Sequence, residues 1–170
     1  MKNIAPQLSA EFVRSILDYD PLTGIFRWKV ARGRRVDLIG AIAGGVDLEG
    51  YWMIRIGCAR YKAHRLAWLV MTGEMPDRKV DHRNLNTIDN SWDNLRLATD
   101  FESAQNRGIS RNNPTGFKGV TFDKKHQCFR ARIAANGRQF FLGHFDTAAE
   151  GGEAYAIAAA RLHGEFARAA

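Results

Sequence analysis

What the 170 residues lack narrows the field before any motif is read. Two cysteines, Cys58 and Cys128, stand far apart with no second thiol beside either, so neither a disulfide framework nor a Cys-x-x-Cys zinc site is supported, and buried or half-buried free thiols are expected. No apolar run approaches the roughly 18 to 20 residues that span a bilayer. The first residues, MKNIAPQLSAEF, lack the apolar stretch of a secretory signal, which points to a cytoplasmic protein with no membrane partner. The mixed composition excludes disordered, collagen-like and fibrous chains. Acid is scarce where base is dense: between Arg107 and Phe145, Asp123 stands alone against Arg107, Arg111, Lys118, Lys124, Lys125, Arg130, Arg132 and Arg138. Over the whole chain 25 Lys and Arg outweigh 18 Asp and Glu, a net charge of +7, which favours a polyanionic partner. No RNP-like or KH-like motif directs that charge to RNA.

What is present reads as short mixed elements. Ser9 is placed to cap a helix carrying Phe12, Val13, Ile16 and Leu17 at helical spacing. DYDPLTG is turn chemistry and IFRWKV alternates as a strand does. Arg27, Lys29, Arg32, Arg34 and Arg35 form a second basic cluster in a loop or hairpin that either touches phosphates or is solvated. EGYWMIRIGCARYKAH predicts a hairpin turning at Gly57 to Ala59. HRLAWLVMTG predicts a buried helix stopped by Gly73, with His64 as a packing or capping residue.

The stretch KVDHRNLNTIDNSWDNLRLAT, residues 79–99, ends a short apolar strand on Asp81 and His82 and then spends Asn84, Asn86, Asn90 and Asn94 on the residues that follow. Asparagine is a poor helix and strand former but its amide bonds turn backbone, so a loop between two strands is expected, returning to bring Asn94 near His82. Thr99 and Glu102 have capping-box spacing, so a helix begins there. The unit is ββα.

Those residues resemble the HNH endonucleases of phages and introns. The matching motifs are H-R-L (His64, Arg65, Leu66), V-D-H (Val80, Asp81, His82) and N-x-x-x-N-L-R from Asn90 through Asn94 to Arg96, with YDPLTGIFRW and EGYWMIRI similar to the N-terminal part of the phage proteins. The resemblance implies DNA phosphodiester hydrolysis with one divalent metal ion, Mg²⁺ or Mn²⁺, and no small-molecule cofactor. It makes His82 the general base, Asn94 a clamp that aims it, and Asp81 a metal ligand. The family's helix carries E-N-x-x-N; here Glu102-Ser103-Ala104-Gln105-Asn106 puts Ser103 where the second ligand is usual. A hydroxyl is a weaker ligand for a hard cation than an amide carbonyl. Three readings stay open: Ser103 ligates, directly or through water; Asn106, one turn on, takes its place; or the site is impaired.

After GISRNNPTG the chain reads as three short strands and an Ala-rich helix capped by Thr147, with Phe129, Ala131 and Ile133 on one face of the middle strand and Arg130 and Arg132 on the other. The apolar face is expected to pack on Tyr155, Ala158, Ala159 and Leu162, and Gly151 and Gly152 to weaken the helix. G-x-x-G-V, F-L-G-x-F-D-T and A-Y-x-x-A-A-x-x-x-H-G over residues 114–167 resemble the AP2 DNA-binding domain. That resemblance implies a sheet in the major groove with Lys118, Thr121, Arg130, Arg132 and Arg138 as contacts. The expectation is therefore an α+β chain with three parts. An HNH domain covers residues 1–107, with its ββα core at 78–107 and an N-terminal hairpin and helix elaboration; a linker covers 108–113; an AP2-like domain covers 114–170. Its function would be that of a phage-encoded homing endonuclease acting on double-stranded DNA in the bacterial cytoplasm, as monomer or homodimer. The alternative is a sequence-specific DNA-binding protein with an impaired HNH site.

Overall fold

The computed structural model describes residues 8–31 and 36–168; Arg32, Arg34 and Arg35 of the expected basic cluster lie outside them. The architecture is mixed α+β, four small sheets and four helices among the described residues. It divides into two compact units, Met1–Leu97 and Ala98–Ala170.

In the first unit, α1 (Ala10–Ile16) starts where Ser9 accepts a hydrogen bond from the Phe12 amide. The chain then enters β1 (Leu17–Asp20) and β2 (Ile25–Trp28), an antiparallel hairpin. DYD, expected as turn, is strand; the turn is Pro21 to Gly24, closed by Gly24 N–H donating to the Asp20 carbonyl at 2.8 Å. The expectation failed because the turn residues Pro21 and Gly24 lent their character to neighbours that pair across the hairpin. β3 (Gly45–Val46), β4 (Trp52–Ile56) and β5 (Ala59–Lys62) make a three-stranded antiparallel sheet. Cys58, in the turn between β4 and β5, is exposed rather than half-buried. α2 (Ala63–Thr72) follows and stops at Gly73. Its Leu66, Ala67 and Leu69 meet Val13, Phe26, Trp28, Ile54, Val80 and Leu95 in one buried cluster, and this core fixes the start of β6 (Lys79–His82) and of its partner β7 (Leu95–Ala98).

In the second unit, α3 (Asp100–Gln105) begins with the expected capping box, Thr99 and Glu102 each receiving the other's amide. β8 (Val120–Asp123), β9 (Cys128–Ala135) and β10 (Arg138–Phe145) form an antiparallel sheet with β9 central, and α4 (Ala148–His163) opens on a second capping box, Thr147 with Glu150. Ile133, Tyr155 and Ala159 are the buried heart, joined by Leu142 and Ala158. Leu162 differs from expectation: it is 42% exposed, and the next residue, His163, takes the buried place one turn after Ala159. Gly151 and Gly152 also read differently in three dimensions. A Cβ on Gly152 would stand 2.3 Å from Cδ1 of Phe117, and one on Gly151 3.2 Å from Val120. The absent side chains let the helix approach the sheet closely, which offsets the propensity cost.

Candidate active site

His82 closes β6 and is 5% exposed. Its ring meets the His64 ring edge-on, centroids 4.9 Å apart, with Tyr51 at 6.4 Å. Its Nε2 lies 3.3 Å from Oδ1 of Asn90. Facing an amide oxygen places the ring proton on Nε2 and leaves the basic lone pair on Nδ1. Burial, the leading cause, lowers the pKa of His82 below its ordinary value, with the Asn90 hydrogen bond and the Asp81 charge opposing it. The imidazole is therefore neutral near pH 7, the state in which it can accept a proton.

Asp81 accepts from Nε of Arg96 through Oδ2 at 3.1 Å, and the two side chains are 10% and 6% exposed. Loss of one partner from such a pair leaves a buried charge uncompensated, at a cost of about 3 to 5 kcal/mol. The donor type fits a hard divalent cation, since carboxylate oxygen is the donor Mg²⁺ and Mn²⁺ prefer.

The asparagines divide the loop between them. Asn94 accepts the Asn84 amide at Oδ1 (3.0 Å), donates through Nδ2 to the Asp89 carbonyl (2.8 Å), and takes the Arg83 amide on its own carbonyl (2.8 Å). Asn84 receives the Asn86 amide at 2.8 Å and donates to the Asp89 carboxylate at 2.7 Å. Asn86 accepts from the Ile88 amide. The side chain that touches His82 is Asn90, 2% exposed, whose Nδ2 is anchored on the Ile88 carbonyl. Asn94 holds the loop; Asn90 holds the ring.

The β1–β2 hairpin braces this loop from behind. Tyr19 Oη donates to the Asn90 carbonyl at 2.8 Å, the Trp92 amide to the Pro21 carbonyl at 2.8 Å, and a Cβ on Gly24 would stand 2.2 Å from the Asn90 carbonyl carbon. His64, expected as a packing residue, is buried and stands against His82, with no hydrogen-bond partner at Nδ1; burial is the main cause that takes its pKa down to about 3.

The remaining expected site residues lie in the second unit. Ser103 is half-buried within α3 and Asn106, the residue that caps it, is buried. Lys118 turns its ammonium onto the carbonyls of Gln105 and Arg107 at 2.6 and 2.7 Å. Thr121 in β8 and Arg138 at the start of β10 are exposed. Arg130 approaches Asp123 to 3.8 Å and Arg132 donates to Gln139 Oε1 at 3.3 Å.

A strand ending in Asp-His, an Asn-built loop and a returning strand define a nuclease-type site, and the comparisons give its class. The HNH endonuclease family matches residues 61–105, from β5 into α3. Protein 3.8 of Escherichia phage T7 is 31% identical over 112 residues, which are 64% of this chain and 92% of the phage protein. An uncharacterized HNH endonuclease of Acanthamoeba polyphaga mimivirus is 31% identical over 110 residues, 64% of this chain and 56% of the viral protein, so the chain spans about half of that relative. No solved structure matches. The chain belongs to the HNH endonuclease family.

Arg96, Asn90 and His64 were the residues that sequence reasoning passed over or placed among packing. Arg96 carried a signal, a charge on a strand of otherwise apolar residues two positions after Asn94. Asn90 and His64 stood in the matching motifs, but nothing in the sequence set either side chain against His82, because those contacts join residues 8 and 18 positions apart.

Proposed function

We propose that this chain is a metal-dependent DNA endonuclease of the phage homing type, in which the first part cuts and the C-terminal sheet selects the site on duplex DNA. The observation that carries the reading is the His82 ring, held neutral with its Nε2 on Asn90 and set beside an ion-paired Asp81. A bound divalent cation would neutralise charge on the scissile phosphate and its departing oxygen. Asp81 would hold it, with Ser103 or Asn106 of α3 as the further donor. His82 takes a proton from the attacking water at Nδ1. Asn90 keeps the imidazole in the competent tautomer while Asn94 prevents the loop from carrying it away. Arg96 orients the Asp81 carboxylate, a positioning role. The AP2-like reading of residues 114–170 supplies Thr121, Arg130, Arg132 and Arg138 as duplex contacts, with Lys118 reaching DNA only if its two carbonyl bonds are given up.

Conversion of supercoiled plasmid to nicked or linear form, with Mg²⁺ or Mn²⁺ against EDTA, tests this. Metal-dependent product that falls by roughly 100-fold or more in His82→Ala, the lower end of a general base's contribution, is the expected result. The second reading, a DNA-binding protein with an impaired HNH site, rests on Ser103 standing in place of the family's asparagine. It predicts duplex binding that survives EDTA with no cleavage by the unaltered protein, and cleavage gained in Ser103→Asn.

A further inference from the structure

The expected duplex-contacting face of the C-terminal sheet carries a group of side chains that the nuclease reading does not use. Asp123 ends β8, His126 follows in the turn to β9, and His144 lies on β10. One ligand atom from each falls within 4.8 Å of the other two. His126 Nδ1 and Asp123 Oδ2 are 3.1 Å apart, and the two imidazole rings lie 5.6 Å apart at 33°. Phe141 packs edge-on against His144 at 5.1 Å, which limits how that ring can turn. The register puts the group on one side of the sheet: His144 is opposite Arg130, and Arg130 is opposite Thr121.

Two donors bound to one tetrahedral ion at about 2.0 to 2.2 Å stand roughly 3.3 to 3.5 Å apart. The Asp123–His126 separation is already close to that spacing, and exposed His144 needs only a small side-chain movement to complete it. The Oδ1 atom of Asp123 is occupied by the Lys125 and His126 amides, which fix the turn and leave Oδ2 directed toward the imidazoles. Two imidazoles and one carboxylate select a borderline ion such as Zn²⁺ over Mg²⁺, and three protein ligands leave a fourth position for water or an anion.

We infer that Asp123, His126 and His144 form a Zn²⁺-class site that ties the β8–β9 turn to β10, separate from the nuclease centre. Arg130, 3.8 Å from Asp123, is the counter-charge the ion displaces. Without metal, the same contacts do no more than cap a turn, so binding itself decides the matter.

The test titrates the full-length chain with Co²⁺, followed by visible absorption and competed by Zn²⁺, in the unaltered protein, His144→Ala, Asp123→Asn and, to remove the carboxylate of the nuclease centre, Asp81→Asn. Far-ultraviolet circular dichroism establishes that each variant is folded. The expected result, with a large excess of Mg²⁺ present to occupy the nuclease centre, is one equivalent of Co²⁺ bound in both the unaltered protein and Asp81→Asn. Affinity should fall roughly 100-fold or more in His144→Ala, since loss of a direct ligand costs at least what loss of an outer partner does. Asp123→Asn, which keeps the turn-capping shape, should also weaken binding. Absence of a Co²⁺ signal at millimolar metal overturns the inference, as does a signal that survives His144→Ala and disappears in Asp81→Asn.

Discussion

His64 is the residue whose burial has the clearest consequence outside chemistry. Its ring is enclosed by His82 and Tyr51, and burial takes its pKa from the ordinary 6.5 down to about 3. In the unfolded chain the imidazole binds a proton near pH 6.5; in the folded chain it does not until about pH 3. Between those values the unfolded state holds more protons, so stability rises with pH and is lost as pH falls, by about 1.4 kcal/mol per pH unit for one such group. His64→Phe replaces the ring by one that cannot titrate. Urea unfolding at pH 7.5 and pH 5 should then show a smaller loss of stability on acidification than in the unaltered protein, by about 1 to 2 kcal/mol. His82 keeps its own share of the pH dependence in both proteins, since its pKa is lowered in the same direction. Equal losses in the two proteins would mean that His64 is hydrated enough to charge in place.

At the scale of elements, the β1–β2 hairpin is the part whose purpose the site reveals. Its turn at Gly24, φ +72°, lies against the Asn90 and Ser91 backbone, where a Cβ would come within 2.2 Å of an atom that cannot yield. Gly24→Ala therefore meets both the left-handed cost of about 1 to 2 kcal/mol and a backbone collision of similar size. It should destabilise the protein by about 2 to 4 kcal/mol and lower the nicking rate of the folded fraction, because Asn90 is the residue on His82. Gly73→Ala is the control, with φ +88° and nothing within 4 Å; it should lose about 1 to 2 kcal/mol and leave the rate per folded molecule alone. Equal effects of the two on that rate would detach the hairpin from the site. Element by element, what the sequence made legible was local. The capping boxes at Thr99 and Thr147, the stop at Gly73 and the alternation of Phe129, Arg130, Ala131, Arg132 and Ile133 all follow from residues a few positions apart. The asparagine loop was legible as a loop for the same reason. Which asparagine meets His82 was not, because a turn of eight residues has no period to read. Nor was the fit of Gly152 under Phe117, which is set by a contact 35 positions away in sequence.

Over the whole molecule, the basic excess is shared between the two compact units, 15 Lys and Arg against 11 Asp and Glu in Met1–Leu97 and 10 against 7 in Ala98–Ala170, and the second gathers its share between Arg107 and Phe145. Electrostatic attraction to phosphate releases counterions, so each phosphate contact contributes roughly 0.9 to the slope of log affinity against log salt. Arg130 and Arg132 project from the same side of β9, but their surroundings differ. Arg130 is partly neutralised by Asp123 at 3.8 Å, whereas Arg132 meets only the neutral Gln139 among the pairings on that face. Arg132→Ala should therefore reduce duplex affinity more than Arg130→Ala. The double variant should lower the magnitude of the salt slope by about 2 if both touch phosphate. Fluorescence anisotropy of a labelled duplex between 50 and 200 mM salt, with EDTA present to prevent cutting, reads both quantities, and His82→Ala should bind like the unaltered protein because its ring is buried behind Asn90 and His64. A loss of affinity with an unchanged slope would assign these arginines to base edges instead of phosphates. Unchanged affinity in the double variant would move duplex binding to the first unit, and the basic sheet would then need a different polyanion.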